Sequence, residues 1–429
     1  MLKLTVELAH WRRARWFFLI WVLLTTTFTT TALRAEESAT LTLAQAIDLT
    51  LQKNPALKVF PLRERALQGD AMTQAQRPPL SVVAELENVA GSGPYTGFDS
   101  AELTLALSSV LELGDKRDAR VAVVEARKEQ VDGERQVQAL DLLGEVTRRF
   151  VEVTAAQERL TLARDAELLA QETLQSVQQR AQAGAAPEAD VARARAAQAQ
   201  ARLTLASAQG EWNSAKVRLA AEWGDTQPAF ARVAGNLFDL GDSGDFADLQ
   251  ARTSQHPALL VLAGEARLRD AELRLVRSQA STDISWSGGV RQFQESDEAA
   301  LVASVSVPLF SGRRNAGAVQ SALAARDEVA VQREVALLQL RDQLHAAFEQ
   351  RRQALELANG LRREVIPLLE QAMTETRTAY ERGRYGYLEW VGARNELITA
   401  RRALIEAAYT AQRTRADIEQ LTAQPLTTD

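Results

Sequence analysis

The run Leu111-Glu112-Leu113-Gly114-Asp115-Lys116-Arg117 sits at a change of period. Before it, Leu103, Leu105 and Leu107 alternate with Glu102, Thr104 and Ser108, the period-two pattern of a strand with one apolar and one polar face. After it, no proline interrupts the chain from Lys116 to Ala183, and its glycines, Gly133 and Gly144, are scattered. At about 1.5 Å per residue, a helix over that run is roughly 100 Å long. Leu143, Val146, Phe150, Val153 and Leu160 recur along it at coiled-coil spacing, a narrow seam rather than the wide apolar face of a globular helix. A helix of that length must pack along other long helices.

The same sequence of signals occurs twice. Leu111 to Lys116 corresponds to Leu309-Phe310-Ser311-Gly312-Arg313-Arg314, and Asn54-Pro55-Ala56-Leu57 to His256-Pro257-Ala258-Leu259. Phe150 corresponds to Phe348, and Gly184 with Asp190 to Gly383 with Glu389. The nearly constant spacing of these landmarks, about 200 residues, marks a tandem repeat. Each copy has a capped opening helix, a strand pair, a very long helix, a turn and a second long helix. The opening helix starts at Thr42, with Gln45 placed as in a capping box. Pro55 and Pro257 occupy first-turn positions of the helices that follow. The other strands read alike: Leu80, Val82, Ala84, Leu86; Ile284, Trp286, Gly288, Val290; and Leu301, Ala303, Val305, Val307, each interleaved with polar or small residues. Leu337, Leu344, Phe348 and Leu355 predict the second seam, and Pro367 predicts a bend.

The amino-terminal 35 residues read as a secretory address. Lys3, Arg12, Arg13 and Arg15 precede the apolar run Trp16 to Leu24, and Ala32-Leu33-Arg34-Ala35 offers a cleavage site. Nine apolar residues are too few to span a bilayer, which takes about 20. Removing a segment with five Lys/Arg and one Glu from a chain with 50 basic and 56 acidic residues leaves a net charge of −10. The full chain's charge of −6 already argues against nucleic acid as a partner. The division is a signal peptide at 1–35, a first repeat at 36–226, a connector at 227–245 and a second repeat at 246–429. Strands are expected at about 80–90, 101–111, 283–293 and 300–310, and long helices at about 115–183, 187–222, 313–382 and 387–423.

The chain has no cysteine and 3 histidines, and it carries no Gly-rich phosphate loop, nucleophile elbow or metal-ligand spacing. Disulfides, Cys chemistry and catalysis are therefore not expected, nor is a cofactor or a resident metal site. His256 and His345 read as structural. The fold class is mainly α with a small β part. Strands of about ten residues have the length needed to cross a bilayer at a tilt. Four cannot close a barrel, and an open edge in lipid leaves backbone groups unpaired. Two, three or four copies would supply eight, twelve or sixteen strands. The competing class is a periplasmic coiled-coil adaptor or scaffold, which leaves the strand pairs unexplained.

Over about residues 38–424 the chain resembles the TolC-like outer membrane efflux proteins. The resemblance is carried by Leu43-Ala44-Gln45-Ala46-Ile47 with Asn54-Pro55, and by Val307-Pro308-Leu309-Phe310-Ser311-Gly312. The repeated tip motifs, Gly184 to Ala194 and Gly383 to Ala393, complete it. Leu111 to Arg117 is similar to the outer-membrane component of cobalt–zinc–cadmium exporters. The resemblance implies a homotrimer with a twelve-stranded transmembrane β-barrel, four strands per chain, joined to an α-helical barrel of long hairpins. It implies the Gram-negative outer membrane as location, reaching into the periplasm. The implied partners are a periplasmic adaptor and an inner-membrane resistance–nodulation–division pump. The implied role is a passive exit duct for divalent heavy-metal cations, with drugs or solvents as the alternative cargo. At the periplasmic entrance it assigns Gly184 and Gly383 to the tip turns and Asp190 and Glu389 to the constriction. It makes Tyr380 an inter-helix latch. Tyr385 stands where the family's latch arginine is expected, with Arg384 just before it, and Gly392 replaces a second acidic position. Helix-start acids also suit the helix dipole, so Asp190 and Glu389 have a purely structural reading too. With few His and no Cys, metal cargo would be conducted rather than tightly ligated.

Overall fold

The computed structural model describes residues 40–426, so the expected signal peptide lies outside the described residues. The chain opens with a short strand, β1 (Thr40–Thr42), and helix α1 (Leu43–Lys53). The capping box is formed: Thr42 Oγ1 accepts from the Gln45 amide at 3.2 Å, and Gln45 Oε1 accepts from the Thr42 amide at 3.0 Å. After α2 (Pro55–Lys58) and α3 (Phe60–Gln74) comes a strand pair, β2 (Ser81–Glu87) and β3 (Glu102–Leu111). The long helix α4 (Lys116–Gln182) follows, 67 residues without a break, and turns back at Gly184 into α5 (Glu188–Ala221).

The second copy repeats the order. Strand β4 (Arg232–Ala234), α6 (Phe246–Thr253) and α7 (Pro257–Ser278) lead to β5 (Ile284–Phe293) and β6 (Glu298–Ser306). Helices α8 (Ser311–Gly360) and α9 (Ile366–Glu381) then run to the turn at Gly383, and α10 (Tyr387–Thr422) returns. The duplication extends to hydrogen bonds. Asn54 Oδ1 caps α2 by accepting from the Ala56 amide at 2.8 Å, and His256 Nδ1 caps α7 by accepting from the Ala258 amide at 3.1 Å.

Pro367 takes effect one turn early, as a π turn at Leu361–Val365 between α8 and α9. The wider turn absorbs the missing amide and seats the proline in the first turn of α9, where no intrahelical donor is needed. The strand expected to reach residue 310 ends at Ser306, ahead of Pro308, and Phe310 enters the left-handed region at φ +64° to start α8.

Helix α4 packs along α5, α7 and α10, while α8 packs along α7 and α10 and α9 along α10. Toward the sheet the helices run in the order α3, α4, α7, α8. Toward the turns the order is α5, α4, α10, α9. The first seam is buried at Val146, Phe150, Val153 and Leu160. The second seam departs from the expected one. It runs through Leu340, Leu344, Arg351, Ala354 and Ala358, with Leu337, Phe348 and Leu355 half-buried on its flank. Packing against both α7 and α10 rotates the buried line, and Arg351 joins it despite its charge.

The segment expected as a connector is part of the core at mid-height. Phe230 and Val233 pack with Val146, Phe150 and Trp223, and Leu237 and Leu240 with Ala354, Ala358 and Ala408. Strand β4 pairs in parallel with β1, tying the start of the chain to this belt. Arg351 is fully buried and donates to the carbonyls of Ala411, Leu240 and Asp242 at 2.5, 2.6 and 2.9 Å, which fixes the belt onto α10. Burial lowers its pKa to about 10, so the guanidinium remains charged at neutral pH.

Candidate functional site

The four long strands form one antiparallel sheet in the order β2-β3-β5-β6, with β2 and β6 at its edges. The pairing β3–β5 joins the two repeats, Leu105 opposite Val290 and Ser109 opposite Trp286. The registers put Val82, Leu86, Leu103, Leu105, Leu107, Leu111, Ile284, Trp286, Val290, Leu301 and Val305 on one face. No Asp, Glu, Lys or Arg of the four strands shares that face. Its large side chains are open to the surroundings: Leu301 is 88% exposed and Val82 75%. A soluble sheet would cover such a surface; the hydrocarbon of a bilayer requires it.

The opposite face is built of serines, alanines, glycine, threonine and valines along most of its length. Its charges, Glu85, Glu87, Glu102, Arg291 and Glu298, gather at the end that carries the 88–101 and 294–297 loops. Arg291 contacts Glu87 and Glu102 at 2.8 Å each and donates to Thr104 Oγ1 at 2.9 Å, bracing β2 and β3 against β5.

At the other end, strands pass into helices through Leu111 to Arg117. Gly114 has φ +77°, and a Cβ there would meet Ser281 Oγ at 2.2 Å, so only glycine fits. Lys116 Nζ contacts Asp283 at 2.7 Å and donates to the Ser281 carbonyl at 2.8 Å. Arg120 binds both carboxylate oxygens of Glu112, at 2.6 and 3.0 Å. The motif is thus a cross-braced joint between sheet and helices.

The far end of the helices carries the tip. Gly184 and Gly383 hold φ of +73° and +72° at the two turns, the left-handed conformation that glycine supplies at a helix end. Asp190 and Glu389 occupy the same place, the third position of α5 and α10. Glu389 is exposed, and its carboxylate folds back over its own helix start at Gly386. Asp190 is half-buried, 3.4 Å from Arg193, and its charge reaches Tyr380 and Tyr387. Arg384 and Tyr385 are exposed at the turn, with their backbone amides bonded to the Ala379 carbonyl.

Tyr380 is buried inside its own chain. Its ring lies 5.0 Å from that of Trp390, and the Arg180 guanidinium sits 4.6 Å above it while bonding the Tyr380 carbonyl. Its hydroxyl has no hydrogen-bond partner among the described residues, and burial pushes its pKa up. Val177, Val191 and Tyr387 complete this core. Below it, Arg394 is 5% exposed and makes long contacts of 3.4 Å to Thr173 and Asn395. Burial lowers its pKa. Sequence reasoning missed Arg180, Trp390 and Arg394. The spacing Tyr387, Trp390, Arg394, Leu397 carries the 3–4–3 seam signal, which the aromatic and basic residue types concealed.

A family model described as outer membrane efflux protein matches residues 46–225. The chain is 28% identical over 366 residues to the cobalt-zinc-cadmium resistance protein CzcC of Cupriavidus metallidurans, covering 85% of this chain and 86% of that one. It is 26% identical to the nickel-cobalt-cadmium resistance protein NccC of Alcaligenes xylosoxydans xylosoxydans, covering 65% of this chain and 63% of that one. The fold is shared with the crystal structure of the outer membrane protein VceC of Vibrio cholerae, with a TM-score of 0.71 at 18% identity over 90% of this chain and 97% of that one. With its duplicated helical hairpins and bare apolar sheet face, the chain is similar to the outer membrane efflux proteins, in sequence over residues 46–225 and in fold over most of its length.

Proposed function

We propose that three copies of this chain close a twelve-stranded barrel and a continuous helical tube, forming the passive outer-membrane duct of a tripartite efflux system. The observation that carries this reading is the sheet: one face uncharged, apolar and exposed, with both edge strands unpaired among the described residues. Unpaired edges cost several kcal/mol per backbone group in lipid, so β2 of one copy takes β6 of the next. The helical layers have matching free flanks. Leu62 and Met72 of α3 and Leu203 of α5 are exposed on one side, Val331, Leu338 and Leu368 of α8 and α9 on the other. The 36–226 and 246–429 repeats then each contribute one hairpin to the wall, joined by the 227–245 segment.

The cargo is a divalent heavy-metal cation of the cobalt, zinc or cadmium type, supported by the names of the two relatives and by the net negative charge. A periplasmic adaptor and an inner-membrane resistance–nodulation–division pump deliver it, and the duct does no chemistry. At the tip, Asp190 and Glu389 from three copies surround the entrance with carboxylates that attract cations. Cells that keep the pump and adaptor but lack this chain test the reading. They should become sensitive to cobalt, zinc and cadmium, and the protein should run as a heat-resistant trimer band in outer-membrane fractions. Unchanged metal tolerance with new sensitivity to lipophilic drugs overturns the cargo. A monomer released from the periplasm by osmotic shock overturns the duct.

A further inference from the structure

The largest cleft among those described, about 740 Å³, lies on the apolar face of the sheet where strands give way to helices. Leu80, Leu111 and Trp286 form its wall, all exposed. Its rim carries Arg77, Arg117, Asp115 and Asp118, which form no ion pair among the described residues. The remaining charges are tied down: Lys116 to Asp283, and Glu112 to Arg120. The free rim therefore holds two cations and two carboxylates, beside a wall suited to hydrocarbon.

We infer that this cleft binds the headgroup of a zwitterionic aminophospholipid in the periplasmic leaflet of the outer membrane. The inference rests on the reading of the apolar face as the lipid-contacting one. Three features select the ligand. Leu80, Leu111 and Trp286 continue the lipid-facing surface and receive acyl chains, with the tryptophan at the interfacial level such side chains favour. Arg77 and Arg117 take the phosphate, which guanidinium groups bind in planar, two-pronged fashion. Asp115 and Asp118 take the ammonium as a hydrogen-bond acceptor pair, which a primary amine satisfies and a trimethylated one cannot. An anionic headgroup satisfies the arginines but leaves the two carboxylates facing negative charge. The brace that makes the floor of the cleft also explains its rigidity, since Lys116 is buried against Asp283 and the Ser281 carbonyl.

The full chain, purified in detergent and stripped of lipid, is titrated with phosphatidylethanolamine, phosphatidylcholine, phosphatidylglycerol or inorganic phosphate, and occupancy is read by native mass spectrometry. Phosphatidylethanolamine should bind about tenfold more tightly than either other lipid, the equivalent of one lost charged contact. Arg77→Ser with Arg117→Ser should weaken all three lipids, because the phosphate is common to them. Asp115→Asn with Asp118→Asn should leave phosphatidylcholine binding in place and remove the advantage of the primary amine. Equal binding of the three lipids, displacement by inorganic phosphate, undiminished binding in the arginine double variant, or wild-type selectivity in the aspartate double variant overturns the proposal. Conductance in planar bilayers is measured on each variant. A chain that conducts without lipid preference overturns the cleft alone, and a chain that never conducts overturns the duct.

Discussion

Tyr380→Phe and Tyr380→Ala separate two ways in which this tyrosine can hold the tip closed. If the hydroxyl is the latch, both variants loosen the tip. If the ring is the latch, only alanine does. The hydroxyl is buried and has no partner in its chain, a state that costs about 1–3 kcal/mol relative to a satisfied one. Phenylalanine removes that cost and keeps the ring on Trp390, so the tip stays as firm or becomes firmer. Alanine removes a buried ring, worth about 3–5 kcal/mol. The lost aromatic pair adds about 0.5–1.5 kcal/mol and the lost Arg180 contact about 0.5–1. Even a third of that sum shifts a closed–open equilibrium about tenfold or more, at about 1.4 kcal/mol per factor of ten. Single-channel recording in planar bilayers reads the outcome. Tyr380→Phe should conduct no more than the parent, and Tyr380→Ala distinctly more. A Tyr380→Phe channel that opens as far as the alanine variant refutes the reasoning and assigns the latch to a hydroxyl bond with a neighbouring chain.

The two buried arginines respond oppositely to the same change. Arg351→Met loses three charge-assisted bonds, about 1.5–3 kcal/mol each, and recovers roughly 3 kcal/mol from a site that lowers the guanidinium pKa to about 10. A net loss of about 1.5–6 kcal/mol should appear as a lower unfolding midpoint and faster proteolysis within 225–245; an unchanged midpoint contradicts it. Arg394→Met loses only contacts of 3.4 Å and should raise the midpoint by removing an uncompensated buried charge. A fall there would reveal a carboxylate supplied from outside the chain. His256→Asn should keep the α7 cap, since Asn54 makes the equivalent bond. Burial lowers the His256 pKa, so the folded chain binds a proton less readily than the unfolded chain. Its stability is therefore lost as pH falls through the unfolded value, about 6.5. The asparagine variant should melt with the parent at pH 8 and above it at pH 5, and identical curves at both pH values would remove this assignment.

Much of the fold is legible before any packing is considered, because its signals are local. The Thr42–Gln45 capping box, the asparagine and histidine caps before Pro55 and Pro257, and the glycines at Gly184 and Gly383 each depend on neighbours within a few residues. Strand alternation is equally local, and the register keeps Val82, Leu86, Leu103, Leu105, Leu107, Trp286, Val290, Leu301 and Val305 on one face. Helix length follows from the missing prolines. The site was less legible. The tip glycines and acids stand out by repetition, but the partners of Tyr380 do not. Arg180 lies 200 residues away in sequence, and an arginine on a long charged helix reads as solvated.

By itself, then, the sequence determined the elements, their duplication and the two-faced strands, all properties of a chain segment and its immediate neighbours. Only the tertiary structure decided which strands adjoin. It joined the repeats through β3 and β5, and it paired β1 with β4 so that the presumed connector became core. It turned the second seam onto Arg351 and directed the Tyr380 hydroxyl inward without a partner. Burial is decided by what packs across space, and a guanidinium can enter a core where carbonyls from two segments distant in sequence converge on it.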